Sequence, residues 1–174
     1  YSLVGWMVHA VPYYESVGLS SGWAAGAVSL TSAGTIVAVL LYGRYANRFA
    51  RIESPSVVFS LLLGAAMLVL LVGDGAIWSI GLFSVLFLLG VAAGPLLEPL
   101  IILRAFGQTS YGTILGASFT LQALALVVAP AAAGVIYDAT DSYDWALVMF
   151  AISAAIAGAF FLLARRIAPP LDAL

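Results

Sequence analysis

Pro55-Ser-Val-Val-Phe-Ser-Leu-Leu-Leu-Gly-Ala-Ala-Met-Leu-Val-Leu-Leu-Val72 runs for 18 residues without a charged side chain. At 1.5 Å per residue a helix of that length covers about 27 Å. That nearly matches a bilayer hydrocarbon core of about 30 Å. The stretch shows no sustained alternation of apolar and polar residues. It is also longer than the 9–11 residues of a typical membrane-barrel strand. Within hydrocarbon only helices and closed barrels satisfy every backbone polar group, so this segment reads as a spanning helix.

The same reading extends in both directions. Apolar stretches cover about 1–14, 21–42, 77–103, 113–137 and 145–164, which with 55–72 makes six. The expected fold is an all-α membrane protein, one bundle of six transmembrane helices over 1–168, followed by a short tail at 169–174. Composition agrees: of 174 residues 64% are hydrophobic and 8% charged, against about 25% charged in soluble domains. A net charge of −2 and the lack of a basic run exclude nucleic acid as a partner. No cysteine is present, which removes disulfides and thiolate chemistry. Tyr1 lies within an apolar stretch and lacks the charged start of a signal peptide. The expectation is that a further segment precedes it.

Arginine sets the orientation. Arg44, Arg48 and Arg51 lie between the second and third stretches, Arg104 follows the fourth, and Arg165 and Arg166 follow the sixth. Six alternating crossings put all of them on one face. The opposite turns, Glu15–Ser20, Gly73–Ala76 and Asp138–Asp144, carry Glu15, Asp74, Asp138, Asp141 and Asp144 and no arginine. Short basic loops stay in the cytoplasm. The reading is therefore a multi-pass protein of the plasma (inner) membrane with its carboxy terminus inside. Tyr13, Tyr14, Trp23, Trp78, Tyr137, Tyr143 and Trp145 gather near the outer boundary as an aromatic belt. Gly22/Gly26, Gly90/Gly94 and Gly112/Gly116 have the G-x-x-x-G spacing that brings helices close, most simply within one bundle.

Glu98 is the one carboxylate inside an apolar span, in Gly94-Pro-Leu-Leu-Glu-Pro99. Ionisable groups at membrane depth are expensive and take part in proton and ion pathways. Snorkelling or pairing with an inner arginine is the plainer alternative. Pro95 and Pro99 flank Glu98 and should bend the helix, as a gate or as a static kink. His9 lies about 9 Å below the outer turn and is either a pathway residue or a satisfied packing residue. Gln122, with Ser118 and Thr120, and Ser32, with Ser29, Thr31 and Thr35, serve as interhelical hydrogen-bonding groups or line a path. One histidine, no cysteine and no acidic cluster leave no catalytic or metal-binding constellation. No phosphate-cradling loop occurs either. The chain reads as a protein that is not an enzyme and has no cofactor.

Gly43-Arg-Tyr-Ala-Asn-Arg-Phe-Ala-Arg51 resembles the loop signature Gly-x-x-x-Asp-Arg-x-Gly-Arg of the major facilitator superfamily. Gly43, Arg48 and Arg51 match, whereas Asn47 and Ala50 replace Asp and Gly. His9-Ala-Val-Pro12, Phe106-Gly107, Tyr111-Gly-Thr-Ile-Leu-Gly116, Ala129-Pro130 and Tyr137-Asp138 look like the seventh to eleventh helices of monocarboxylate-porter and oxalate/formate-antiporter relatives. The resemblance implies the carboxy-terminal half of a twelve-helix transporter, built as a 3+3 inverted repeat. It implies a missing amino-terminal six-helix half, lipid, and a small-molecule substrate as partners. Helices one, two, four and five would line a cavity, and three and six would face lipid. The implied function is secondary active transport by alternating access, and Glu98 is the candidate that the residues themselves offer for coupling it to a proton or cation. A non-transporting six-helix scaffold or assembly subunit is the alternative. No Arg or Lys lies within a span, so this half offers an anionic substrate no counter-charge.

Overall fold

The computed structural model describes residues 1–45, 53–92 and 94–167. Asn47, Arg48 and Arg51 of the loop motif and the tail 169–174 lie outside the described residues. The described residues are almost all helical: α1 (Ser2–Ser16), α2 (Ser21–Tyr45), α3 (Glu53–Gly73), α4 (Ile77–Ala92), α5 (Gly94–Thr140) and α6 (Asp144–Ile167). Among the described residues, four helical segments are long and apolar enough to cross a membrane: Ser21–Tyr45, Ser54–Gly73, Ile77–Thr140 and Asp144–Ala164. At 15 residues α1 covers only about 22 Å and falls short of that length.

The turns end where local chemistry requires. Gly18, at φ 94°, follows α1, and the Gly18 and Leu19 amides donate back to Glu15 and Tyr14. Asp74 and Gly75 carry positive φ between α3 and α4, where the Ser79 hydroxyl donates to the Ala76 carbonyl. The Ser142 hydroxyl accepts from the Asp144 amide at the start of α6. Asp144 in that first turn also complements the helix dipole.

One boundary differs from the expected spans. Within the stretch 77–103 the described residues are helical on both sides of position 93, as α4 up to Ala92 and as α5 from Gly94. Pro99 is accommodated inside α5. The expected loop after 103 is reduced to a break at Gly107, whose φ of 69° and ψ of 178° are non-helical. That conformation is essentially restricted to glycine. The break reverses the chain. In a straight helix Glu98 and Ser118, 20 residues apart, would be separated by about 30 Å, yet their side chains are hydrogen-bonded. Arm 94–106 and arm 108–140 of α5 are therefore antiparallel.

α3 packs most extensively against α6 and α4, α2 lies on α4, and α1 lies on the second arm of α5. The main core gathers around Trp6, Tyr14, Met67, Phe83, Leu147 and Phe150. The expectation that α3 and α6 face lipid needs refinement. α3 has the largest buried share of the four long segments and keeps one exposed stripe, Val58, Leu61, Leu68 and Val72. α6 has a similar stripe, Ile152, Ile156, Phe160 and Leu163. Its spacing of three and four residues is that of one helix face.

The glycine pairs divide. A Cβ at Gly90 would sit 2.9 Å from the Leu63 amide nitrogen and 3.0 Å from the Phe59 carbonyl oxygen, so α4 touches the backbone of α3 there. Gly22, Gly26, Gly94, Gly112 and Gly116 have nothing within 4 Å of such a Cβ. Packing within one bundle thus accounts for Gly90. The pairs on α2 and on the second arm of α5 face open space.

Candidate functional site

The α5 fold-back builds a polar site from residues far apart in sequence. Glu98 stands on the first arm, one residue before Pro99. Ser118 and Gln122, one helical turn apart, stand on the second. The Ser118 hydroxyl and the Gln122 side-chain amide both donate to Glu98 Oε1, the amide at 2.7 Å. Gln122 Nε2 also reaches the Ser118 oxygen at 3.3 Å. Among the described residues no hydrogen bond reaches Glu98 Oε2. The half-buried carboxyl lines a cleft of about 400 Å³ with Ser56, Ser60, Gly94, Ile101 and Ser118. Hydrogen bonds to a charged group are roughly twice as strong as neutral ones. The ionised carboxylate therefore joins the two arms more tightly than the neutral acid would.

Sequence reading picked out Glu98, Gln122 and Ser118 but did not join Glu98 to the other two. The signal was present. Positions 98 and 118, or 98 and 122, are nearly equidistant from a reversal near 107–110, so an antiparallel hairpin must set them opposite each other. Ser56 and Ser60, from α3, had no comparable signal and were missed.

His9 belongs to a different place. Its Nε2 lies 2.9 Å from the Pro130 carbonyl, which can only accept, so Nε2 carries the hydrogen. Nδ1 then accepts from the Tyr143 hydroxyl at 3.4 Å. His9 thus clasps α1 to the second arm of α5 and to the α5–α6 turn. Both ring nitrogens have partners within the bundle, and Glu98 is not one of them. Ser32 donates to the Val28 carbonyl at 2.8 Å and lines a separate cleft between α1, α2 and α4. Gly43 is exposed near the end of α2.

The three acidic turns meet at one end of the bundle. Asp74, Asp141 and Asp144 line a common cleft with Ser16, Tyr137 and Tyr143. Tyr143 lies in the turn and stacks on Tyr137, with ring centroids 4.4 Å apart. Burial, then Tyr137 and then Asp138, push its hydroxyl above the ordinary value of 10.0. The folded state therefore holds the Tyr143 proton more tightly than the unfolded chain. The resulting stability is complete below pH 10 and fades as pH rises through the folded value. Thermal unfolding of the wild type should lose stability above about pH 10 faster than that of Tyr143→Phe. Identical alkaline profiles would remove Tyr143 as the cause.

No family model, curated protein or solved structure matches the chain.

Proposed function

We propose that this chain is one half of a membrane-embedded secondary transporter of the major facilitator type, and that Glu98 couples solute movement to a proton. The observation that carries the reading is the Glu98–Ser118–Gln122 cluster. The one carboxylate set within apolar spans sits on a cleft and joins the two arms of α5. Protonation removes the charge from Oε1 and weakens both hydrogen bonds. The arms then separate more readily at the Gly107 reversal. Loading and release of the proton would in this way bias two arrangements of α5, as alternating access requires.

Two further features support the reading. The open glycine pairs on α2 and on the second arm of α5 are suited to a second bundle packing closely against them. The acidic turns share one end, while Arg44 lies at the far end of α2 and Arg104 near the Gly107 reversal. With that arrangement the basic end is cytoplasmic. The cell membrane is the proposed location, and a missing amino-terminal bundle, lipid and a small solute are the proposed partners.

The test uses the intact protein reconstituted into vesicles and offered a mixture of small metabolites under an imposed pH gradient. Mass spectrometry of the vesicle contents should find at least one solute accumulated by the wild type. Glu98→Gln keeps the shape of the side chain but cannot cycle a proton. It should lower gradient-driven accumulation by at least tenfold while leaving exchange of that solute intact. Equal accumulation by wild type and Glu98→Gln, with the same pH dependence, would take Glu98 out of the mechanism. Vesicles that accumulate nothing would count against transport itself.

A further inference from the structure

We infer that the cleft between α1, α2 and α4 is a binding site for an uncharged, ring-bearing small molecule. The inference deepens the transporter reading by naming the class of solute carried. The cleft has a volume of about 280 Å³. An apolar cavity of about 150 Å³ holds a benzene ring, so there is room for one ring with a small substituent. Trp6, Tyr14, Phe83 and Phe87 supply aromatic walls, and Thr31, Ser32 and Thr35 place three hydroxyls along α2.

The walls set the charge of the occupant. Among the described residues no Asp, Glu, Lys, Arg or His lines this cleft. An ion brought into it would lose its hydration without gaining a counter-charge, at a cost of several kcal/mol. A carboxylate anion would find no counter-charge among the lining residues.

The polar groups set what the occupant presents. Ser32 and Thr35 donate their hydrogens to the Val28 and Thr31 carbonyls, at 2.8 and 2.9 Å. Thr31 donates to the Ala27 carbonyl at 2.8 Å and lies 3.0 Å from the Ser84 hydroxyl. With their hydrogens committed, these hydroxyls offer lone pairs, which receive a donor. Trp6 is only 3% exposed, yet no hydrogen bond to its indole N–H is found among the described residues. The indole nitrogen is not among the fully buried atoms and its ring lines the cleft, so the N–H is open to an acceptor there. A lipid chain would fill the volume but satisfy neither kind of group. A neutral primary amide on a ring satisfies both: its carbonyl accepts from Trp6 and its NH₂ donates to the α2 hydroxyls.

The test measures saturable binding to the intact protein in detergent, by ligand-induced thermal shift and by quenching of tryptophan fluorescence. The probes are benzamide, toluene, benzoate and benzylammonium. Benzamide should bind saturably, and the two ions should bind at least tenfold more weakly. Trp6→Phe keeps an aromatic wall and removes the donor. It should weaken benzamide roughly three- to tenfold, the size of one lost hydrogen bond, and leave toluene unchanged. Thr35→Phe should abolish binding of both rings by filling the cleft. Benzoate binding as tightly as benzamide would overturn the assignment. So would benzamide affinity that neither variant alters, because the ring would then be dissolving in detergent or lipid-exposed surface. The two readings fail separately. Vesicle uptake of a solute that benzamide does not compete with defeats this site and spares transport. Saturable benzamide binding without uptake of any solute upholds the site and defeats transport.

Discussion

Gly90→Leu should prevent the bundle from assembling. The α-hydrogen side of Gly90 faces the backbone of α3, with the Leu63 nitrogen, Phe59 oxygen and Leu63 Cα at 2.9, 3.0 and 3.2 Å from any added Cβ. These are backbone atoms inside a helix, so they cannot swing aside as a side-chain tip can. Even Gly90→Ala must push α3 and α4 apart, and overpacking of this kind costs about 1–3 kcal/mol. The larger leucine should exceed that range. Gly81→Ala is the matched control: the same helix, but nothing within 4 Å of the new methyl. There alanine should be neutral or stabilise by up to about 1 kcal/mol, through helix propensity alone. Thermal unfolding in detergent should thus show opposite signs at positions 81 and 90. Equal shifts at both would mean that α3 and α4 do not cross at Gly90.

Gly107→Val should open the α5 hairpin. The residue sits at φ 69°, ψ 178° with nothing within 4 Å of an added Cβ, so the penalty lies in the backbone and not in a clash. Non-glycine residues forced into such regions cost about 1–3 kcal/mol, and a β-branched side chain falls at the upper end. The consequence reaches the Glu98 cluster, because only this reversal sets Glu98 opposite Ser118 and Gln122. A double-mutant cycle reads that dependence. Glu98→Gln alone should lower stability, and it should lower it less in the Gly107→Val background. Strict additivity would mean that the two arms are held together by something other than the turn.

Helical character and the position of most helices were legible without coordinates. Apolar stretches too long for barrel strands and nearly free of charge leave few other solutions. The starts and ends near 21, 73, 77 and 144 follow from local signals such as Ser21, Asp74-Gly75 and Asp144. The misreading sits where local rules compete. The span 104–112 was rich in polar and small residues and read as a loop. Nearly all of it is helical because one glycine is enough to reverse the chain. A lone His9 in a helix is more often a packing residue than a pathway residue. Its partners, Pro130 and Tyr143, are more than 120 residues away and gave no hint in the sequence.

The sequence by itself determined an all-helical chain with segments long and apolar enough for a bilayer, acidic turns at one end, and a single carboxylate within the apolar spans. Those properties depend on composition and on neighbours a few residues apart, which any reader of the chain can see. Only the tertiary structure decided that Glu98 meets Ser118 and Gln122, that Gly90 and not Gly22 or Gly112 is in close contact, and that Trp6 and Ser32 share an uncharged cleft. Each of these depends on how helices are rotated and offset against one another. That is set by the summed packing of many weak contacts rather than by any local pattern.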